Sequence, residues 1–128
     1  MTAVTLSATL AQEGPGAIVI GSDYIALGVV RSLGRHGIPV CLMRDLHVCA
    51  AVSRYVRCCL PWPAGDMARL NALLELSTLH RLDGWALFPT DDEAAALVAR
   101  HHGTLAEHFL LTTPSWEVMR WAYDKRLT

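Results

Sequence analysis

The stretch "AIVIGSDYIALGVVRSLGRHGIPVCLM", residues 17–43, decides the fold. It opens with Ala17 to Ile20, a short apolar run rich in β-branched residues and closed by Gly21. Such a run fits a strand buried on both faces. Ala26, Val29, Val30 and Leu33 then recur at helical spacing and make one apolar stripe. Ser22 or Asp23 can cap the helix start, Arg35 and His36 suit its negative end, and Gly37 suits a left-handed stop. Ile38 to Met43 reads as a second strand. Strand, helix and strand in so short a span make a βαβ unit, whose two strands must run parallel.

The alternation continues outward. "YVRCCL" (Tyr55 to Leu60) reads as a third strand, ended by Pro61 and Pro63. Asp66 can cap a helix with Met67, Leu70, Leu73 and Leu74 on one side. Trp85 to Pro89 reads as a fourth strand. Thr90 and Glu93 have the spacing of a capping box for a helix that turns Ala94, Leu97 and Val98 inward and ends at His101, His102 and Gly103. His108 to Thr112 reads as a fifth strand, and Thr113 and Pro114 as the cap and first residue of a last helix. The expected fold is therefore α/β: a Rossmann-like, open, parallel five-stranded sheet with helices on both faces and Ala17–Ile20 at its centre. Residues 1–16 carry no pattern and read as a flexible lead-in. Residues 17–113 form the α/β domain, and residues 114–128 a helix leading out of it.

Composition narrows the function. The chain has 128 residues, 52% of them hydrophobic, and a net charge of −1. That suits one domain with a proper core and gives no field to attract nucleic acid or anionic lipid. No apolar run approaches the length of a membrane helix, and the first residues lack the basic region of a secretory leader, so the expected location is the cytoplasm. Cys41, Cys49, Cys58 and Cys59 show no CxxC spacing and read as buried thiols. The histidines show no metal-ligand spacing, and His101-His102 reads as a pair that compensates a helix dipole.

In open α/β sheets ligands bind beyond the carboxyl ends of the strands, where strand order reverses. In the order 3-2-1-4-5 that point lies between the first and fourth strands. "GSDYIALG" (Gly21 to Gly28) and "PTDDE" (Pro89 to Glu93) would face each other there. The helix start after Gly21 offers N–H groups to a phosphate or carboxylate. No glycine stands between Gly21 and Gly28, so the dinucleotide fingerprint is absent, and Gly28 reads as a helix–sheet packing position. In "PTDDE", Glu93 is explained by the capping box, which leaves Asp91 or Asp92 to meet a substrate amine. The candidate substrate-binding residues are Gly21, Ser22, Asp23, Thr90 and Asp91.

The ordered set "AIVIGSDYIALGVVRSLGRHGIPV", "SRYVRCCLPWP", "LFPTDDE" and "TPSWEVMRWAYDKRLT" resembles the opening of an ATP-grasp ligase. The branch it is most similar to is the carboxylate–amine ligases, which include D-aspartate ligase and are related to carbamoyl-phosphate synthetase. The resemblance covers residues 17–128. It implies a pre-ATP-grasp domain, followed after Thr128 by an ATP-grasp module that clamps ATP with Mg²⁺. It also implies a reaction in which a carboxylate and ATP give an acyl phosphate that an amine attacks. Lys125, in the "DK" pair, would contact ATP phosphates. The chain alone would lack catalytic residues and would hold neither ATP nor Mg²⁺. Two rival readings remain: a stand-alone nucleotide- or small-ligand-binding module, for which Asp45 stands where a ribose-binding acid would, and an interaction domain that forms a homodimer.

Overall fold

A computed structural model describes residues 15–21, 24–44 and 55–118. The elements run β1 (Ala17–Ile20), α1 (Tyr24–Arg35), β2 (Val40–Arg44), β3 (Val56–Pro61), α2 (Asp66–Thr78), β4 (Ala86–Pro89), α3 (Asp92–Arg100), α4 (His102–Ala106) and β5 (Leu110–Leu111). The strands form one all-parallel sheet in the order β3-β2-β1-β4-β5. The fold is therefore the open α/β sheet expected, with β1 at its centre.

Topology follows from handedness. Crossovers between parallel strands are right-handed, so the side on which a helix lies depends on the direction in which the chain steps across the sheet. From β1 to β2 it steps one way, and α1 covers one face. From β3 to β4 and on to β5 it steps the other way, and α2, α3 and α4 cover the opposite face. The packing agrees. Ile18, Ile20, Cys41, Met43 and Leu87 pack with Leu73, Leu97 and Leu105 from the three helices. Val19, Val40 and Leu42, alternate residues on the same strands, pack with Ala26 and Val30 of α1.

Several local details differ from the sequence reading. β3 carries an irregularity: Val40 is level with Val56 but Cys41 with Cys58, so Arg57 is an extra residue. That bulge turns Cys58 onto the face of Cys41 while Val56 stays with Val40. Strand alternation alone cannot show it. α2 has Gly65 as its N-cap residue with no side-chain cap, and Asp66 instead pairs with Arg100 at 3.8 Å. The helix after β4 ends at Arg100, but His102 and Gly103 do not close it into a loop. They begin α4, whose Leu105 is drawn fully into the core. Gly28 has open space around it, so it is not a packing position. The close approach occurs at Gly34, where an added Cβ would collide with the Tyr55 ring. Gly37 does adopt the left-handed stop, with φ +76°. β5 is only Leu110–Leu111, and helical geometry resumes at residue 116, two beyond Pro114. Gly16 belongs to the packed body, with its carbonyl accepting from the Ala86 N–H at 3.0 Å.

Cys41 and Cys58 are buried thiols side by side on neighbouring strands. Its hydrogen bond with Cys58, which favours the protonated thiol, and then burial push Cys41 well above its ordinary range. Cys59 departs from expectation in being disulfide-bonded. No helix among the described residues is long and apolar enough to cross a membrane.

Candidate functional site

The site is built where β1 and β4 end side by side. Ile20 is level with Pro89, and both strands then leave the sheet, β1 into Gly21 and β4 into Thr90. The Gly21 N–H donates to the Met43 carbonyl at 3.0 Å, which carries the β1–β2 ladder one residue beyond the strand. Across the gap, Thr90 binds the end of β1 twice. Its N–H reaches the Ile20 carbonyl at 3.0 Å and its Oγ1 donates to the same oxygen at 2.7 Å. A side chain on Gly21 would collide with Thr90 Oγ1, and Gly21 has φ +152°, a conformation that side-chain-bearing residues rarely adopt. Gly21 is glycine for two reasons at once: the turn needs its backbone freedom, and Thr90 needs its missing Cβ.

This corrects the capping assignment. Thr90 is not the cap of α3, because its hydroxyl is committed to β1. The cap is Asp91, in extended conformation, with Oδ1 accepting from the Ala94 N–H at 2.8 Å. Glu93 does not complete a capping box and lies 3.4 Å from Arg69 of α2. Asp91 is exposed and uses one carboxylate oxygen for the cap; among the described residues its second oxygen makes no hydrogen bond. That oxygen is what Asp91 can offer a cationic ligand group.

Of the candidate residues, the structure brings Gly21, Thr90 and Asp91 together at the carboxyl edge. Ser22, Asp23 and Lys125 lie outside the described residues, as do Asp45, Cys49 and residues 119–128. Tyr24, the first residue of α1, is 91% exposed beside this edge.

The carboxyl edge holds a second group that the sequence reading missed. Trp62, just past β3, is buried, and the Arg69 guanidinium lies over its ring at 5.2 Å. Arg69 Nε donates to the Pro63 carbonyl at 2.6 Å. Arg100 forms a similar group over Trp116 at 5.7 Å. The partners Arg69 and Glu93 are 24 residues apart, and neither stands in a spaced motif, so no local signal announces the pair.

Two shallow hollows open at the amino edge of the sheet. One, of about 240 Å³, is bordered by Gly34, Gly37 and Tyr55; the other, of about 440 Å³, by Gly84 and His108. Both lie at the opposite strand ends from the switch point, so the ligand rule for parallel sheets argues against them. Among the described residues, no cluster of three or more His, Cys, Asp or Glu could hold a metal ion. No family model, no curated protein and no solved structure matches this chain.

Proposed function

We propose that this chain is the N-terminal, pre-ATP-grasp domain of an ATP-dependent carboxylate–amine ligase, and that its carboxyl edge forms one wall of the substrate site. The observation that carries the reading is the β1–β4 junction, where Thr90 is fastened to the Ile20 carbonyl and Gly21 turns away beside it. A junction held this rigidly at the switch point suits a wall against which a small substrate is positioned. In this reading Asp91 meets the substrate amine, and Lys125 with the following module supplies the ATP phosphate contacts. ATP and Mg²⁺ would belong to the assembled protein, with a carboxylate and an amine as substrates.

Calorimetric titration of Mg·ATP tests the proposal. The 128-residue chain should show no micromolar binding. Carried through an ATP-grasp module, the protein should bind Mg·ATP and release phosphate only when its carboxylate is supplied. Micromolar binding by the short chain would replace this reading with that of a stand-alone nucleotide-binding module. Such ATP chemistry goes with the cytoplasm. The state of Cys59 in the cell tests that location, because a disulfide retained there points to an oxidising compartment.

A further inference from the structure

We propose that Arg69 is an oxyanion anchor at the carboxyl edge, receiving a carboxylate or phosphate on the guanidinium edge now shared with Glu93. The proposal rests on the reading that this edge is the ligand site, and it names the chemistry of the ligand.

Recognition of an oxyanion by arginine requires a guanidinium plane already fixed before the ligand arrives. Two contacts fix this one, and a third, weaker one occupies its edge. Its Nε is taken by the Pro63 carbonyl at 2.6 Å, its face rests 5.2 Å from the Trp62 ring centre, and its Nη1 lies 3.4 Å from Glu93 Oε2. Trp62 and Pro63 follow β3 directly, so the plane is referred to the sheet. Its side chain is only 19% exposed, so an oxyanion itself shielded from water would pair with it more strongly than the 78% exposed Glu93 does.

The two counter-contacts differ in kind. The Pro63 carbonyl is backbone and short, and it holds the plane. Glu93 is 78% exposed at a long 3.4 Å, and such surface pairs contribute little. Nη2 makes no hydrogen bond among the described residues. An incoming oxyanion would take Nη1 and Nη2 together as a two-oxygen acceptor and release Glu93 to water. The place is right as well, since Glu93 stands two residues beyond Asp91 on the first turn of α3. An anchor for a negative group and a carboxylate for a positive one would then flank the same helix start, as a substrate or intermediate carrying both charges requires. Arg100 is the weaker candidate. Its side chain is 45% exposed, its ion pair with Asp66 is 3.8 Å, and its Nε bonds within its own helix at 3.2 Å.

The test is a titration of the 128-residue chain with inorganic phosphate and, separately, glutarate, followed on the arginine Nε–H and backbone amide resonances. The Arg69 Nε–H signal should shift saturably with one or both. Glu93→Gln, which removes the competing carboxylate at an exposed position, should tighten binding about two- to fivefold. Arg69→Lys should weaken it roughly tenfold, because a point charge cannot replace the two-pronged plane. Tighter phosphate binding identifies a phosphoryl ligand, and tighter glutarate binding a carboxylate. If neither anion moves Arg69, or if Glu93→Gln leaves the affinity unchanged, Arg69 is an internal clasp and the proposal is overturned. Movement of the Gly21 and Asp91 amides without Arg69 would keep the ligand edge and overturn the anchor. Movement of Arg69 without those amides would keep the anchor and remove the ligand from the β1–β4 junction.

Discussion

Leu87 on β4 and Leu42 on β2 are both fully buried leucines of the same sheet, yet they face different surroundings. Leu87 points into a cluster closed by three helices, α2, α3 and α4, together with Trp62, Trp85 and Phe109. Leu42 points to the other face, where among the described residues one helix, α1, supplies the buried partners Ala26 and Val30. Of that face's neighbours, Phe88 is only partly buried, and Leu110 on β5 is 66% exposed. The same strands thus carry one face locked between several elements and one face that a single helix covers. A cluster gripped from many sides cannot collapse when an atom group is removed, whereas one amphipathic helix can settle inward.

The largest expected effect tests that contrast directly. Leu87→Ala should cost about 4 kcal/mol and Leu42→Ala about 2 to 3 kcal/mol, read by chemical denaturation. Equal costs would break the comparison and show that the α1 face is as tightly held as the other. Next is Gly21→Ala, where a strained backbone and a collision with Thr90 coincide. It should cost about 2 to 3 kcal/mol. A double variant, Gly21→Ala with Thr90→Ser, tests the collision: because Ser keeps the hydroxyl, it should recover almost nothing, while Thr90→Gly should recover part of the loss.

A smaller effect is expected at Asp91. Its replacement by Ala should remove the cap of α3 and cost about 1 kcal/mol, while Asn should keep the cap within a few tenths. Asp91→Asn therefore separates charge from fold. In the assembled enzyme it should lower substrate use while the melting curve barely moves, and an unchanged KM for the amine would remove Asp91 from the site.

The smallest effect concerns pH. The Cys41 thiol is held above its usual value of 9.0 in the folded chain by its Cys58 partner and by burial. A folded pKa raised above the unfolded one leaves stability intact below the unfolded value and erodes it as pH climbs toward the folded value. Unfolding free energy should thus be level from neutral pH to about 9 and fall beyond it. Cys41→Ala should flatten that alkaline slope. A slope that survives the substitution belongs to another group.

The class of fold was legible from the order of residues alone. Apolar runs at residues 17–20 and 85–89, and helical stripes such as Ala26–Val30–Leu33 between them, are local signals set by strand and helix geometry. The central place of β1 and the reversal of strand order beside it were expected from one common order of such sheets, and the pairing of β1 with β2 and β4 bears them out. Gly21, Thr90 and Asp91 could be singled out for the same reason, since a switch point lies at strand ends that the sequence marks. Their individual roles could not be read there. Thr90 and Asp91 are neighbours, both able to cap, and only the Ile20 carbonyl arriving from 70 residues away decides which of them is free to do so. The bulge at Arg57 appears only when β2 lies alongside to set the register. Arg69 shows no sign of function in its own helix, because what fixes its plane is a tryptophan and a proline carbonyl at the end of β3 and a glutamate at the start of α3. Periodicity is a property of the chain and its neighbours in sequence. A hydrogen bond or a stacked guanidinium depends on which distant atoms the packed sheet brings within about 3 to 5 Å, and only the tertiary structure decides that.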